Sequence, residues 1–423
     1  MSSLHSYISG RGNGKRRSHS PPPQVSSVLG ADKLPVQASR FQDPHFPFQP
    51  LPSPKDPPPY RYDLSKLLTS ADIKRIEDAG SLVFHSVGDT GDYRGQQQDF
   101  VADMMTQDFD QLPDAKKPAF YYHLGDVVYF AGDLDKYGDN FYQTYKEYPG
   151  FIVAIPGNHD CQPDDPQDGA VDPNKVSLDG WVQNFMSRNP GQYGSLKTGS
   201  GRTQMDLPNV YWTFTTPFAS IIGLFSNVGE TQGEIHPDQI EWFRGELAAA
   251  DGNRALIVAV HHPPFSGDVD HSGSSEVEQV LFDSFMAANR YPDLILSGHV
   301  HNYQRFTKVV SSSNGKRQIP CVVAGAGGYT RLGKLQKVSG AYPNPNAPFS
   351  IANDLTLEKY DHANFGFLRI EVSASQINGV YLSSPYTPGT SPTATEIDNF
   401  TVDLAKHTVS STGGQAAKRP GRK

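Results

Sequence analysis

The stretch from Tyr122 to Asp160 decides the fold, because it carries two short polar clusters that each follow an apolar run. The first cluster is Gly125-Asp126-Val127-Val128-Tyr129, and the run before it is Phe120-Tyr121-Tyr122-His123-Leu124. The second is Gly157-Asn158-His159-Asp160, after Phe151-Ile152-Val153-Ala154-Ile155. Such runs predict buried strands, and open α/β sheets carry their chemistry just past the strand ends. Since carboxylate, phenol, carboxamide and imidazole groups suit transition metals, the stretch predicts half of a two-metal hydrolase site.

Three further apolar runs end on the same kind of residue. Ser81 to Val87 leads into Gly88-Asp89-Thr90-Gly91, Arg254 to Val260 into His261-His262-Pro263-Pro264, and Asp293 to Ser297 into Gly298-His299-Val300-His301. A single histidine in such a place is more often a core or surface residue than a ligand. Five strands that all end in this way place their polar ends at one edge, so we expect the clusters to converge on one site.

Length, charge and cysteine content limit the class of protein. The chain has 423 residues, 37% of them hydrophobic, which allows one large domain of up to ~250–300 residues with tails. The net charge of −8 argues against general binding of nucleic acid or anionic membrane, and the chain lacks an apolar run near the ~18–20 residues that span a bilayer. Two cysteines, Cys161 and Cys321, make no disulfide framework and are interpreted as free thiols.

The two ends of the sequence have the composition of tails. Residues 1–59 are rich in Ser, Pro, Gly and Gln and are predicted to be disordered, as is the basic segment 407–423. The catalytic domain is therefore predicted over residues 60–406. Residues 1–30 contain Lys15-Arg16-Arg17, but they lack the apolar core of ~7–15 residues that a secretory signal needs, which favours a cytoplasmic location.

The remaining patterns predict ordinary helices, hairpins and loops. Helices are expected over Leu64–Ala79 with Ser70 as N-cap, over Gln96–Gln107, over Lys136–Tyr148 and from His236 onward. Strand pairs are expected over 210–214 with 220–225 and over 365–373 with 377–382, and a last strand over 399–404. Residues 162–205 are interpreted as a long connection that walls the site, and the stretch after the glycine-rich turn at 325–328 as irregular up to residue 364.

Taken in order, the five clusters resemble the motifs of the calcineurin-like metallophosphoesterase superfamily, and most closely those of its purple acid phosphatases. The superfamily usually has Asp-x-His in the first cluster, and Gly91 stands in the place of that histidine here. Purple acid phosphatases have the same replacement and supply the missing ligand from a tyrosine at the spacing of Tyr129. The resemblance implies an α/β fold, a four-layer α/β/β/α sandwich of two mixed sheets flanked by helices.

The resemblance also implies two metal ions and their ligands. The first ion is held by Asp89, Asp126, Tyr129 and His301, and the second by Asp126, Asn158, His261 and His299. His261 is selected by its spacing to the proline that follows, with His262 as the alternative. A phenolate favours Fe(III) at the first position, and the second suits Zn(II), Mn(II) or Fe(II).

Three more residues are candidates for catalysis. His159 is predicted to contact phosphate or to protonate the leaving group, with Asp160 orienting it. Asp160 stands where purple acid phosphatases usually have glutamate. His271 is predicted to face the substrate, the equal alternative being a solvated loop residue, whereas Arg305 is interpreted as structural in preference to a phosphate clamp.

The function predicted from this resemblance is hydrolysis of phosphate monoesters by metal-hydroxide attack, on a phosphorylated small molecule or a phosphoprotein. Two alternatives remain. A phosphodiesterase or a nucleotide pyrophosphohydrolase would use the same ligands, and a catalytically silent metal-bound scaffold would keep them without turnover. Neither nucleic acid nor membrane is an expected partner.

Overall fold

The computed structural model describes residues 51–91, 96–162, 177–191, 201–227, 233–312 and 315–411. Of the predicted tails 1–59 and 407–423, residues 1–50 and 412–423 lie outside the described residues. The strands within the described ranges are β1 (Arg61–Asp63), β2 (Ser81–Val87), β3 (Phe120–His123), β4 (Phe151–Ala154), β5 (Trp212–Thr215), β6 (Ala219–Leu224), β7 (Ala255–Val260), β8 (Leu294–Ser297), β9 (Tyr303–Ser312), β10 (Gly315–Ala324), β11 (Phe349–Ala352), β12 (Leu355–Asp361), β13 (Phe365–Ser373), β14 (Gln376–Ser384), β15 (Thr395–Asp403) and β16 (Thr408–Ser411). The α-helices are α1 (Ser70–Ala79), α2 (Gln96–Gln111), α3 (Asp179–Phe185), α4 (Pro237–Ala249) and α5 (Ser275–Ala288).

The strands form two mixed sheets. The larger, nine-stranded sheet has the order β1-β5-β6-β7-β8-β10-β9-β12-β11, and the seven-stranded sheet has the order β16-β15-β14-β13-β2-β3-β4. Strands β2, β3 and β4 are parallel in the smaller sheet, and β6, β7 and β8 are parallel in the larger one, with β10 parallel to β8. The carboxyl ends of these strands therefore lie at one edge of each sheet, as the polar clusters predict.

Strand β7 shows why the central strands are continuously apolar. Ile257 and Ala259 belong to the core between the two sheets, whereas Leu256 and Val258 belong to a second core with Phe243 of α4 and its neighbours in α5. Because both faces of the strand are covered, all of its side chains are apolar and buried.

The two sheets pack face to face through aromatic rings. The Phe120 ring of the smaller sheet lies 4.8 Å, centroid to centroid, from Phe214 of the larger sheet, and Tyr122 stacks on Trp212 at 5.8 Å. Helix α2 packs against β13, on the outer side of the smaller sheet. The layers thus run helix, sheet, sheet, helix, and the predicted fold class is confirmed.

Several predicted elements differ from the observed ones in length or kind. Helix α1 begins at Ser70 but its N-cap is Thr69, whose side chain accepts from the amide of Asp72, so the predicted cap was one residue late. The predicted helix 136–148 is an irregular helical turn with a π segment at Gly138–Tyr142. The stretch predicted as irregular contains β11 and β12, and the connection 162–205 contains α3.

Both predicted tail boundaries are wrong by a few residues. Residues 51–59 pack on the domain: the amide of Lys55 donates to the Pro208 carbonyl at 2.9 Å, and the Pro59 carbonyl accepts from Trp242 Nε1 at 2.7 Å. At the other end β16 pairs with β15, so the domain continues through Ser411. Backbone pairing and one aromatic hydrogen bond order these segments although their composition is that of a tail.

Cys161 and Cys321 are both buried free cysteines, as predicted. None of the helices in the described ranges has the length and apolarity needed to cross a bilayer. The predicted cytoplasmic location stays a prediction.

Candidate metal centre

The turns after β2, β3 and β8 deliver their ligand-type residues from a strained backbone. Asp89, Asp126 and His299 have φ values of 58°, 54° and 68°, in the left-handed region that non-glycine residues rarely adopt. Hydrogen bonds between the turns hold them there: the Asp89 amide donates to the Gly125 carbonyl at 2.9 Å, and the Asp89 carbonyl accepts from the Tyr329 amide at 3.0 Å. Such strain collects where side chains must point to a common centre.

Two glycines allow the turns to approach each other. A Cβ at Gly157 would lie 2.1 Å from Asp126 Oδ1, and one at Gly125 would lie 2.6 Å from His261 Nδ1. Gly125 also has φ of 95°. Any larger residue at either position would push a ligand-type side chain out of place, so the glycines are part of the site's construction.

The Tyr129 hydroxyl is the centre of one group of donors. Its oxygen lies 2.8 Å from Asp126 Oδ2, 3.2 Å from His301 Nε2 and 3.3 Å from Asp89 Oδ1. All four residues are buried, His301 being the most exposed at 8%. These are the residues that the resemblance assigns to the first ion, and the fold brings them together from three different turns, those after β2, β3 and β8.

The Asn158 side chain is the centre of the other group. Its Oδ1 lies 2.9 Å from His299 Nδ1 and 3.1 Å from His261 Nε2, and His261 Nε2 in turn lies 3.4 Å from Asp126 Oδ2. Donor atoms of Asp126, His261 and His299 all lie within 4.8 Å of one another. Asp126 borders both groups, which is the position that a bridging carboxylate requires.

The orientation of His261 fits a metal ligand. Its Nδ1–H donates to the Leu124 carbonyl at 2.8 Å, which leaves Nε2 facing Asn158 Oδ1 and Asp126. In a neutral imidazole this Nε2 carries a lone pair, and the two oxygen atoms that it faces are acceptors as well. A cation between the three atoms would satisfy all of them. The donor set of carboxylates, phenol, carboxamide and imidazoles therefore fits a two-metal centre.

The charges inside the centre are strongly coupled. Burial opposes ionisation of Asp126, but His261 and His159 lower its pKa below the ordinary range. Burial likewise lowers the pKa of His261, yet Asp126 and Asp89 outweigh it and raise that pKa to about 9. Burial and then the two carboxylates raise the pKa of the Tyr129 hydroxyl well above 10.0. Two buried carboxylates in contact with a phenol are strongly stabilised by a positive charge next to them.

The neighbouring His262 has a different environment from His261. Its Nδ1 lies 2.8 Å from Ser226 Oγ, and its ring packs against that of His299 with a centroid distance of 4.2 Å. Burial lowers its pKa well below 6.5. The structure thus brings His261 into the ligand group and leaves His262 behind the His299 ring, so the family spacing selects the residue that reaches the centre.

His159 lies beside this centre with one ring nitrogen engaged. Its amide donates to Asp126 Oδ1 at 2.8 Å, and its Nδ1 lies 2.7 Å from the Phe130 carbonyl and 3.1 Å from Gln162 Oε1. Both partners are acceptors, so Nδ1 carries the proton and Nε2 is the nitrogen that faces away from them. The ring is partly exposed and packs 4.3 Å from the Tyr129 ring.

The Asp160 carboxylate binds loop backbone amides, and in the described part of the chain the predicted contact with the His159 ring is not made. Its carboxylate accepts from the amides of Gly157 at 2.8 Å and Val127 at 3.0 Å, which ties the turns after β4 and β3 together. The His159 ring is held by Phe130 and Gln162 instead. Burial and then the charge of Asp126 raise the pKa of Asp160 to about 7.

His271 lies against His299 and His301, two of the candidate ligands. Its ring centroid is 4.9 Å from that of His299 and 5.1 Å from that of His301. The loop is fixed by Asp268, whose buried Oδ1 accepts from the amides of Asp270 and His271. His271 Nδ1 is buried and makes no hydrogen bond within the described residues. The structure therefore places His271 at the site, and the solvated-loop alternative does not apply.

Arg305 points away from the centre and is structural, which agrees with the favoured interpretation. It is 1% exposed, its Nε donates to Asp398 Oδ2 at 2.6 Å, and its Nη2 donates to Asp398 Oδ1 at 3.0 Å and to Ser411 Oγ at 2.9 Å. The pair joins β9 of the larger sheet to β15 of the smaller one.

Sequence reasoning missed the aromatic residues Tyr329 and Phe130. The Tyr329 ring lies 4.4 Å from the rings of Tyr129 and His301, and Phe130 lies 6.0 Å from Tyr329. The glycine-rich turn after β10 was the available signal. A Cβ at Gly325 would lie 2.7 Å from Asp89 Oδ2, so this turn approaches the site as closely as the turns with ligand motifs do.

The fold and the site define an α/β protein of the metallophosphoesterase class. Residues 82–303, more than half of the chain, match the sequence model of the family described as calcineurin-like phosphoesterase. The chain belongs to this family, as the motifs predicted.

Curated relatives include purple acid phosphatases of Arabidopsis thaliana. The chain is 25% identical to purple acid phosphatase 21 over 170 residues, which is 39% of this chain and 34% of the relative. It is 26% identical to the Fe(3+)-Zn(2+) purple acid phosphatase 12 over 222 residues, 48% of this chain and 42% of the relative. The chain thus spans less than half the length of these relatives. Among solved structures, that of PhoD aligns with a TM-score of 0.51 at 12% identity over 80% of this chain and 73% of PhoD, a likeness of fold.

Proposed function

We propose that this chain is a phosphomonoesterase with two metal ions, Fe(III) beside Tyr129 and Zn(II), Mn(II) or Fe(II) beside Asn158. The observation that carries the proposal is the position of the Tyr129 hydroxyl, within 3.3 Å of Asp89, Asp126 and His301 donor atoms. A phenolate is a hard anionic donor, and a trivalent ion overcomes the raised pKa of a buried tyrosine between two carboxylates. One relative, the Fe(3+)-Zn(2+) purple acid phosphatase 12 of Arabidopsis thaliana, is named for one such pair of ions, which supports the proposal.

When bound, the two ions supply a nucleophile at mild pH and neutralise the phosphate oxygens. The chain's own residues would do the rest. Asp126 holds both groups of ligands at a fixed separation through its bonds to Tyr129 and His261. His159, with Nδ1–H bound to the Phe130 carbonyl, presents Nε2 for contact with phosphate or for protonation of the leaving alkoxide. His271, packed on His299 and His301, closes the opposite side and faces the phosphate.

The substrate class follows from this arrangement as a proposal. A phosphorylated small molecule or a phosphoprotein would place its phosphate on the ions with the leaving oxygen toward His159. A phosphodiesterase, a nucleotide pyrophosphohydrolase and a catalytically silent scaffold would keep the same ligands. They are therefore distinguished by turnover on monoesters, diesters and pyrophosphates and not by the ligand set.

The first experiment is the visible absorption spectrum of the purified protein with elemental analysis of the same sample. We expect iron and a second metal in comparable amounts, and a broad charge-transfer band that disappears in Tyr129→Phe. Tyr122→Phe is the matched control, because Tyr122 is also fully buried but packs on Trp212 between the sheets. A colourless protein that contains only zinc or manganese would contradict the ferric site, and a metal-loaded protein without activity on any phosphoester would favour the scaffold.

A further inference from the structure

Phe130 and Tyr329 form an aromatic surface beside the candidate metal centre. Their rings are 6.0 Å apart and nearly perpendicular, at 89°. Both side chains are partly exposed, whereas Tyr129 beneath them is only 1% exposed. We call this pair the aromatic wall. Large aromatic side chains that stay partly open next to a buried polar centre offer a binding surface for an apolar group.

The position of the wall relates it to the leaving group and not to the phosphate itself. Tyr329 packs 4.4 Å from the ring of His301 on the ligand side, and Phe130 lies 6.3 Å from the ring of His159 on the side of the proposed proton donor. The wall therefore spans the space between an ion ligand and the residue that would protonate the leaving oxygen. A leaving group held between these residues would lie beside the two rings.

The wall is also held in place before any ligand arrives. The Tyr329 amide donates to the Asp89 carbonyl at 3.0 Å, and the Phe130 carbonyl accepts from His159 Nδ1 at 2.7 Å. Because the backbone at both residues is tied to the site, little conformational entropy is lost when a ring stacks on them. Neither side chain carries a charge, so the surface favours a flat apolar group over a hydrated sugar or polyol.

We propose that the aromatic wall binds the ring of an aryl leaving group, so that the preferred substrates are phosphate monoesters of phenols. This inference rests on the proposed function. In the reaction water adds across the phosphorus–oxygen bond: its hydroxyl joins phosphorus, its proton ends on the aryl oxygen, and phenol and inorganic phosphate are released. An edge-to-face or offset-stacked ring contact supplies the selectivity.

The kinetic test compares phenyl phosphate with glycerol 2-phosphate as substrates of the metal-loaded enzyme. In Tyr329→Leu and Phe130→Leu the ratio of kcat/KM for phenyl over glycerol phosphate should fall about three- to tenfold, the size of a lost aromatic contact. Tyr329→Phe keeps the ring and should keep the ratio. Phe151→Leu is the matched control, because Phe151 is 41% exposed at the first residue of β4, the end of the strand away from the site.

A binding test separates this inference from the proposed function. Calorimetry measures the dissociation constants of phenylphosphonate and methylphosphonate, which cannot be hydrolysed at the phosphorus–carbon bond under assay conditions. We expect the wild type to prefer phenylphosphonate and Tyr329→Leu to lose about the same factor as in the kinetic test. If neither phosphate ester is hydrolysed, the proposed function fails. The ratio of the two phosphonate dissociation constants still tests whether the aromatic wall binds an aryl ring. An unchanged ratio in both leucine variants, or an equal loss for both compounds, would overturn the inference and leave the rings a packing role.

Discussion

At the scale of single residues, the Asp126 carboxylate binds both the backbone of His159 and the Tyr129 hydroxyl. The backbone amide of His159 donates to Asp126 Oδ1, while Asp126 Oδ2 lies 2.8 Å from the Tyr129 hydroxyl. One carboxylate thus fixes both the candidate ligands and the candidate proton donor. Within the described residues, the hydrogen bonds of the His159 ring go to the Phe130 carbonyl and to Gln162 Oε1. Neither residue is a candidate ligand, so replacement of the His159 side chain should leave the ligand groups intact.

We expect His159→Gln to lower kcat by about 100-fold or more without loss of bound metal, because general acid catalysis contributes about 10²–10⁴. The loss should be larger for phenyl phosphate than for 4-nitrophenyl phosphate, since the better leaving group needs less protonation. Steady-state kinetics with elemental analysis of the same sample test this. An equal loss for both esters would mean that His159 binds phosphate and does not donate a proton.

His123 provides a pH prediction that is independent of turnover. It is fully buried on β3, its Nδ1 accepts from the Gly125 amide at 3.1 Å, and its Nε2 lies 2.9 Å from Thr90 Oγ1. Burial lowers its pKa from 6.5 to about 3. Below about pH 6.5 the ring binds a proton in the unfolded chain, whereas in the folded state it stays neutral until the pH approaches 3. This residue therefore lowers the free energy of unfolding as the pH falls from about 6.5 toward 3.

The measurement is urea unfolding at pH 7 and pH 5 for the wild type and His123→Gln. The free energy of unfolding of the wild type should fall more steeply between these pH values than that of the variant, by up to about 1.4 kcal/mol per pH unit. The difference in pH dependence between the two proteins removes the contribution of the other buried histidines, which are common to both. Parallel pH dependence in the two proteins would show that His123 is charged or accessible in the folded state.

At the scale of elements, the ion pair between Arg305 and Asp398 joins the two sheets. Arg305 lies on β9 and Asp398 on β15, and both are at least nine-tenths buried. Their bidentate contact, with distances of 2.6 and 3.0 Å, is the geometry in which arginine pairs most strongly with a carboxylate. The Phe400 ring lies 5.0 Å from the guanidinium carbon on the same side.

Arg305→Met should lower the free energy of unfolding by about 3–5 kcal/mol, because it leaves the Asp398 carboxylate buried without a partner. Folded variant protein should keep the KM of the wild type for phosphate esters, since Arg305 does not reach the metal centre. Chemical denaturation and steady-state kinetics are the measurements. The double variant Arg305→Met with Asp398→Leu is the control and should recover much of the stability, and a strongly raised KM in the single variant would restore the phosphate-clamp alternative.

The strands of the two sheets differ in how well the sequence predicts them. Strands β2 and β7 are buried along their whole length and were predicted nearly to the residue, because both of their faces are covered and apolar residues dominate them. Strand β9 and the pair β11 and β12 were missed: they mix polar and apolar residues and sit toward the edge of the larger sheet. Strand β12 pairs with β9 far back in the sequence, and its register shifts against both β9 and β11, so that bulges break the period of two.

At the scale of the whole molecule, the metal centre lies between turns from both sheets, so bound ions should stabilise the entire fold. Asp89 and Asp126 come from the smaller sheet, and His261, His299 and His301 from the larger one. Without ions the buried carboxylates and histidines face one another, and the burial raises the pKa of Asp89 well above its ordinary range. An ion that binds only the folded state adds its binding free energy to stability.

Removal of metal with a chelator should therefore lower Tm by several degrees, and addition of the two metals should restore it, because ligand at about 100 times its Kd contributes about 2.7 kcal/mol. Thermal unfolding followed by circular dichroism tests this. Asp126→Asn should bind less metal and show a smaller response to the chelator. The exposed Asp139→Asn is the matched control and should respond as the wild type does. Equal Tm values with and without chelator in the wild type would mean that no ion bridges the sheets.

The sequence by itself determined the order of the strands that end on polar clusters, the family and the residues assigned as ligands, because those features depend on local apolar runs and on short motifs. Only the tertiary structure decided that Asp160 holds loop amides, that Arg305 joins the sheets, and that the rings of Phe130 and Tyr329 lie beside those of the candidate site. Those roles depend on contacts between turns from different strands. Which residues from different turns contact each other follows from the packing of the two sheets, and no local sequence pattern encodes that packing.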